Sequence, residues 1–219
     1  MSITTRDIQA RLAARGFDPG PIDNIYGGQT RRAMEAFMAR HGKPIRSDFH
    51  PSGLHRIVLH WPVSGKGASA SDLEHYHAVI THDMRVVLGW LKPEANADTR
   101  DGQYVAHTRG LNAGSIGIAI DGMVGAQERP FDPGPAPFTR AMLDLLAETV
   151  ADMCLTYDIP VSRWTVLSHA EVQPTLGVWQ RGKWDIAWIP GMTAPGDPVA
   201  VGDVIRDMVR AAMPEARAA

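Results

Sequence analysis

The chain has 219 residues, 44% of them hydrophobic and 21% charged, enough for one sizeable core and a smaller module. A formal net charge of −2 and a pI near 6.5 argue against a nucleic-acid binder, and the single cysteine, Cys154, excludes an internal disulfide. No apolar run reaches the ~18–20 residues of a membrane helix, and the opening MSITTRDIQA lacks the basic-then-apolar order of a secretory signal.

Residues 1–43 read as a small all-α unit. Ile8, Leu12 and Ala13 recur at helical spacing behind a Thr4-Thr5 cap, and Gly16 is placed to end that helix. DPGPIDNIYGG is turn chemistry; a second helix follows Gln29-Thr30, with Ala33, Met34, Phe37 and Met38 on its apolar face and Gly42 after it. Residues 44–54, polar and broken by Pro and Gly, read as a linker. About forty residues with so few large apolar groups make a marginal core.

From His55 to the C-terminus the pattern predicts an α/β domain with a mixed central β-sheet flanked by helices. RIVLHW is a short strand, HYHAVIT and RVVLGWL a strand pair around HDM, and GSIGIAIDG a further strand. In FTRAMLDLLAETVADMCLTYD, Phe138, Met142, Leu145, Leu146, Val150, Met153 and Cys154 trace one helical stripe, which makes the cysteine a core residue. RWTVLSH is a strand ending on His169, and PVAVGDVIRDMVRAAM a final amphipathic helix. VGAQERPFDPGPAP reads as a surface loop.

The stretch LSHAEVQPTLGVWQRGKWDIAW sets His169, Lys183 and Asp185 among Leu167, Trp179, Trp184 and Trp188. Titratable groups in apolar surroundings need a partner, a hydrogen bond or a metal. His60 and His169 each stand at the C-terminal end of a predicted strand, where α/β proteins gather site residues. Two histidines and a carboxylate with a fourth place open is the pattern of a catalytic zinc site. With nine histidines and 24 acidic residues, spacing alone does not single these out.

IVLHW, HYHAVI, AHTRGLNAGSIGIAI and LSHAEV…GKWD stand in the order they take in the type 2, zinc-dependent N-acetylmuramoyl-L-alanine amidases. That superfamily includes phage endolysins and peptidoglycan recognition proteins, and residues 55–190 resemble it. The resemblance places Zn²⁺ ligands on His60, His169 and Asp185 and a catalytic pair on Tyr76 and Lys183. His107 and Asn112 fall beside the site as outer-shell or substrate-binding residues, and Trp179 is a further candidate contact, with packing as its bland alternative. His75 and His77 should face away from Tyr76 by strand alternation.

The N-terminal unit resembles the three-helix peptidoglycan-binding module, carried by Gln9, Leu12 and Gly16, then DNIYGGQT, then Ala33 and Phe37. Asn24 replaces its usual glycine, and Asn also tolerates a left-handed turn. Asp23 and Tyr26 are its candidate contact residues, with turn and packing roles as the alternative.

The implied reaction is hydrolysis of the amide between N-acetylmuramic acid and the L-alanine of the stem peptide. Two departures from the family stand out. Ala119 occupies a position where cytoplasmic relatives carry a carboxylate; Asp121, ~6.5 Å further along the strand, is a weak substitute. The sixteen-residue step from His169 to Asp185 is long, so a VQPTLGVWQR insertion must loop out and return. Ala119 keeps a second reading open, a protein that binds wall fragments without cutting them. The expected partner is bacterial peptidoglycan, with no nucleic acid and no membrane insertion. The expected protein is a monomer made in the cytoplasm without a signal peptide and acting on the wall after release.

Overall fold

The computed structural model describes residues 4–41, 53–157 and 159–213. Gly42 and nearly all of the expected linker lie outside them, as does the side chain of Met38.

Helix α1 (Thr5–Ala14) starts where it does because Thr4 and Asp7 cap each other: the Thr4 hydroxyl accepts from Asp7 N at 3.1 Å, and the Asp7 carboxylate accepts from Thr4 N at 2.9 Å. It ends on Gly16, which takes the left-handed conformation at φ 76°. Helix α2 (Gly28–His41) packs Ala33, Met34 and Phe37 against Leu12, and Phe17 meets Phe37 edge-on at 5.3 Å. These are the two α-helices of the unit among the described residues. The turn between them is held by Gln9, 1% exposed, whose amide donates toward Pro21 O, Asp23 Oδ1 and Ile25 O and accepts from Asn24 N. Asn24 sits at φ 71°.

The larger region is built on a five-stranded sheet in the order β3-β2-β4-β1-β5. Its strands are β1 (Arg56–His60), β2 (Ala78–Ile80), β3 (Val86–Leu88), β4 (Ser115–Ile120) and β5 (Val166–Ser168). Strands β2, β4, β1 and β5 run parallel, and β3 closes one edge antiparallel to β2. Every residue of β1 and β4 is buried, as a parallel strand covered on both faces requires, and this is why both read as continuous apolar runs. Ile57, Leu59, Ile116, Ile118 and Ile120 face a core completed by α4 (Arg140–Thr156) and α6 (Pro198–Ala212). From the helices come Met142, Leu146, Val150, Cys154, Val201, Ile205 and Val209. Each such aliphatic side chain stabilises by about 1.5–3 kcal/mol when fully buried.

Strand alternation then sends His60, Gly117 and Ala119 to the opposite face, where the site is built. A Cβ on Gly117 would lie 2.4 Å from the His107 ring, so only glycine leaves room for that histidine.

Three expectations are corrected. The run beginning at His75 is not all strand: α3 (Ala70–His75), capped reciprocally by Ser69 and Asp72, takes His75, Tyr76 is its extended C-cap, and β2 starts at Ala78. The alternation argument for His75 therefore fails. Strand β5 stops at Ser168, and His169 is the first residue of α5 (His169–Leu176), a helix hidden in the sequence by its shortness and by Pro174. RVVLGWL contributes only three strand residues.

Beneath α5, Glu171 and Arg206 form a buried ion pair at 2.8 Å, 0% and 1% exposed at the side chain. Glu171 also accepts from Ser168 N, and Arg206 donates to Val166 O, so the pair ties α6 to the turn that presents His169.

Candidate metal centre

Strand β1 ends on His60, the neighbouring parallel strand β5 delivers His169, and the segment after α5 returns to place Asp185 between them. His60 Nδ1 lies 3.2 Å and His169 Nδ1 3.1 Å from the same carboxylate oxygen, Asp185 Oδ2. The three candidate ligand atoms lie within 4.8 Å of one another, and all three residues are buried. This is the convergence expected of the residues singled out in the sequence.

The electrostatics suit a cation. Burial pushes His60 down to about 4, so it stays neutral and keeps a lone pair at neutral pH. Burial opposes ionisation of Asp185, but its contacts with His169 and His60 outweigh it and hold the carboxyl at about 2. Burial likewise acts to lower His169, and its contact with Asp185 reverses the direction, leaving it raised. An ionised carboxylate and two imidazoles, closed off from solvent on one side, form a donor set within the zinc repertoire.

His60 is oriented from behind. His107 is held neutral, well below the ordinary imidazole range, by burial and then by the neighbouring His60 and His77. Its Nε2 faces the backbone oxygen of Ser115 at 3.2 Å, an acceptor only, so Nε2 carries the proton and Nδ1 accepts. His60 Nε2 lies 3.2 Å from that Nδ1 and 3.3 Å from the Thr108 hydroxyl, which itself lies 2.9 Å from His107 Nδ1. With His60 protonated at Nε2 the Thr108 and His107 side of this chain is satisfied, and the Nδ1 lone pair faces Asp185 Oδ2, a meeting of two acceptors that a cation between them would relieve. Thr108 was not visible as a site residue in the sequence. Asn112 holds this loop, its side-chain oxygen accepting from His107 N and Thr108 N at 3.1 and 2.8 Å.

A cleft of about 550 Å³ opens over His169 and Asp185, lined among others by Tyr76, His107, Arg109, Asn112, Trp179 and Lys183. The Tyr76 ring stands 5.1 Å from that of His60. Burial, followed by the nearby charges of Asp185 and Asp72, pushes its hydroxyl pKa up, so Tyr76 is a donor and not a base. Lys183 is an exposed cation on the rim. Trp179 is 63% exposed, against the packed alternative, with the Arg181 guanidinium 5.5 Å from its ring centre. Trp184 and Trp188 do pack, on Trp61 and on Phe138 and Phe131.

The other candidates lie elsewhere. His77 is buried between Gly117 N and Asn96 Oδ1, and His75 is exposed on α3, bonded to Ser71 O. Asp121 does not substitute for the missing carboxylate: it is buried against His82 Nδ1 and Gly67 N and does not line the cleft. Ala119, paired with His60 in register, is buried and offers only a methyl group. In the N-terminal unit, the Asp23 carboxylate accepts from Gln9 and Ile25 N as a turn residue, and Tyr26 is exposed beside an exposed Ile25.

The inserted segment does return. Gly177 ends α5 at φ 69°, and successive left-handed residues, Arg181 at φ 56° and Gly182 at φ 71°, turn the chain back toward Asp185. On the way it places Gln180 behind His169, with His169 Nε2 2.9 Å from Gln180 Oε1.

A family model described as N-acetylmuramoyl-L-alanine amidase matches residues 50–192, and one described as putative peptidoglycan binding domain matches residues 4–44. No curated protein matches. Solved structures with a similar fold include the N-acetylmuramoyl-L-alanine amidase LysC from Clostridium intestinale URNW, at 16% identity over 72% of this chain and 86% of that one, TM-score 0.45. The Ph2119 endolysin from Thermus scotoductus MAT2119 bacteriophage Ph2119 is 19% identical over 66% and 91% of the two chains, TM-score 0.40. The Staphylococcus aureus hydrolase AmiA is 12% identical over 82% and 91%, TM-score 0.44.

Proposed function

Because this chain belongs to the N-acetylmuramoyl-L-alanine amidase family, we propose that it hydrolyses the amide between the lactyl group of N-acetylmuramic acid and L-alanine by means of a Zn²⁺ held by His60, His169 and Asp185. Peptidoglycan is the substrate, and residues 1–43 act as the module that retains the polymer while residues 55–219 cut it. The single observation that carries the zinc assignment is the meeting of two imidazole Nδ1 atoms on one carboxylate oxygen, at 3.2 and 3.1 Å.

Zinc held by His60, His169 and Asp185 would supply Lewis acidity, the means to polarise an amide carbonyl and to lower the pKa of water toward neutrality. The chain's own groups do the rest. Tyr76, protonated throughout the working pH range, donates a hydrogen bond to the carbonyl oxygen as it gains negative charge. Lys183 adds a positive charge at the cleft rim, where the same oxygen and the carboxylates of the stem peptide approach. Trp179, exposed beside them, offers a flat face to the sugar or peptide. With Ala119 at the carboxylate position and Asp121 engaged elsewhere, hydrogen bonding and charge stabilisation at the carbonyl oxygen fall to Tyr76 and Lys183. Asp23 and Tyr26 lie on the turn that we assign to polymer contact.

The test is digestion of purified peptidoglycan, with and without a chelator, followed by mass spectrometry. Stem peptides with a free L-alanine amine and glycans with intact lactyl groups are expected, and the chelator abolishes both. Intact sugar–peptide linkages under both conditions overturn the reading, and cleavage indifferent to chelator overturns its zinc part.

A further inference from the structure

We infer that Gln180 is a positioning residue, which fixes the tautomer of His169 and so aims its Nδ1 lone pair into the metal site. The inference rests on the zinc reading above. It follows from which atoms can donate. Gln180 is 5% exposed, and its side-chain nitrogen lies 2.9 Å from the backbone oxygen of Arg109. A peptide oxygen only accepts, so the NH₂ group must face Arg109 and the amide oxygen must face His169. That oxygen, 2.9 Å from His169 Nε2, also only accepts, so Nε2 carries the ring proton. In the neutral ring that a metal ligand must be, the remaining nitrogen, Nδ1, then keeps its lone pair, 3.1 Å from Asp185 Oδ2.

The arrangement mirrors the one behind His60, where the polarity is set by Ser115 O through His107. Both histidines are thus oriented by a relay ending on a backbone oxygen, which cannot reverse its role. The two differ in origin. The His60 relay runs through the loop before β4 to Ser115 at the start of that strand, whereas Gln180 comes from the inserted segment between His169 and Asp185. The segment is itself anchored, Gln180 N donating to Gln173 Oε1 on α5 at 3.0 Å. The insertion therefore has a role at the metal beyond displaying Trp179: the same loop that reaches for substrate holds a ligand in register.

The experiment measures Zn²⁺ affinity of the full chain by competition with a chromophoric chelator, together with the thermal midpoint of the metal-free protein. Gln180→Met keeps the length of the side chain and removes the acceptor; Gln180→Glu keeps an acceptor toward His169. The expected result is a 10–100-fold loss of affinity in Gln180→Met, the range for an outer partner of a metal-binding histidine, and a clearly smaller loss in Gln180→Glu. In the zinc-loaded wild type, ¹⁵N shifts of His169 should report a protonated Nε2. Equal affinity in wild type and Gln180→Met overturns the inference while leaving the zinc site standing. Equal losses in both variants, with matching falls in the metal-free midpoint, also overturn it, because loop packing then explains them. A wild type that binds no zinc overturns both readings.

Discussion

Residues 4–41 and the amidase domain solve one problem at different scales. The small unit buries Leu12, Ala33, Met34 and Phe37, and relies for its long turn on one amide, Gln9, that bonds to backbone and side chains across Pro21 to Thr30. The amidase domain instead has a sheet covered on both faces, and against that core it can hold groups that are costly to bury: His60, His169, Asp185, His77, Glu171 and Arg206. The small unit has one buried amide and no such charged set among its described residues. Apolar area decides how much unfavourable polar burial a fold can carry, and catalytic machinery is mostly unfavourable polar burial.

The amidase domain is most easily disabled where its two histidines meet a carboxylate. Asp185→Ala removes the oxygen that gathers both histidines, and peptidoglycan cleavage should fall at least ~10³-fold, about 4 kcal/mol of barrier. Binding to insoluble peptidoglycan through residues 1–43 should persist, and loss of both in a folded variant would show that the two regions do not divide the work. Arg206→Met leaves Glu171 buried and uncompensated. Unfolding of the amidase domain should be easier by about 3–5 kcal/mol. Urea melts followed by tryptophan fluorescence read this cleanly, because all six tryptophans lie beyond residue 60.

Acid sharpens the contrast further. His77 is pushed down to about 4, chiefly by burial. Its unfolded value is near 6.5, so below that pH the unfolded chain binds the proton more readily. The stability this histidine contributes is complete above about 6.5 and is lost as pH falls toward 4, by about 3 kcal/mol. His60 and His107 act in the same direction. The domain's urea midpoint should fall over that window more in wild type than in His77→Asn, and parallel profiles would contradict it. The smallest effect belongs to the small unit. Gln9→Leu strands the Asn24 N–H and the turn carbonyls, which should destabilise residues 4–41 by about 1–3 kcal/mol. Faster amide exchange at Asn24 and Ile25, with an unchanged tryptophan melt, is the expected signature.

Elements whose cause is local were legible in the sequence. The Thr4 cap, the stripe on α4, the doubly buried runs of β1 and β4 and the amphipathic α6 depend on residues a few positions apart. Elements shorter than their own pattern were misread: α3 and α5 span six and eight residues, too few for helical periodicity to stand out beside strands.

Legible along the chain were a two-part layout, the sheet-and-helix class and, through the ordered motifs that resemble an amidase, the trio His60, His169 and Asp185. Tertiary structure alone decided which neighbours complete that trio. Asp121 was drawn to His82, Trp179 was left in the open, and Thr108 and Gln180 were set behind the histidines. The reason is physical: a helix or strand is written in spacing along the chain, but a hydrogen-bond partner 11 to 48 residues away is chosen only when the sheet has closed and each buried donor must find an acceptor.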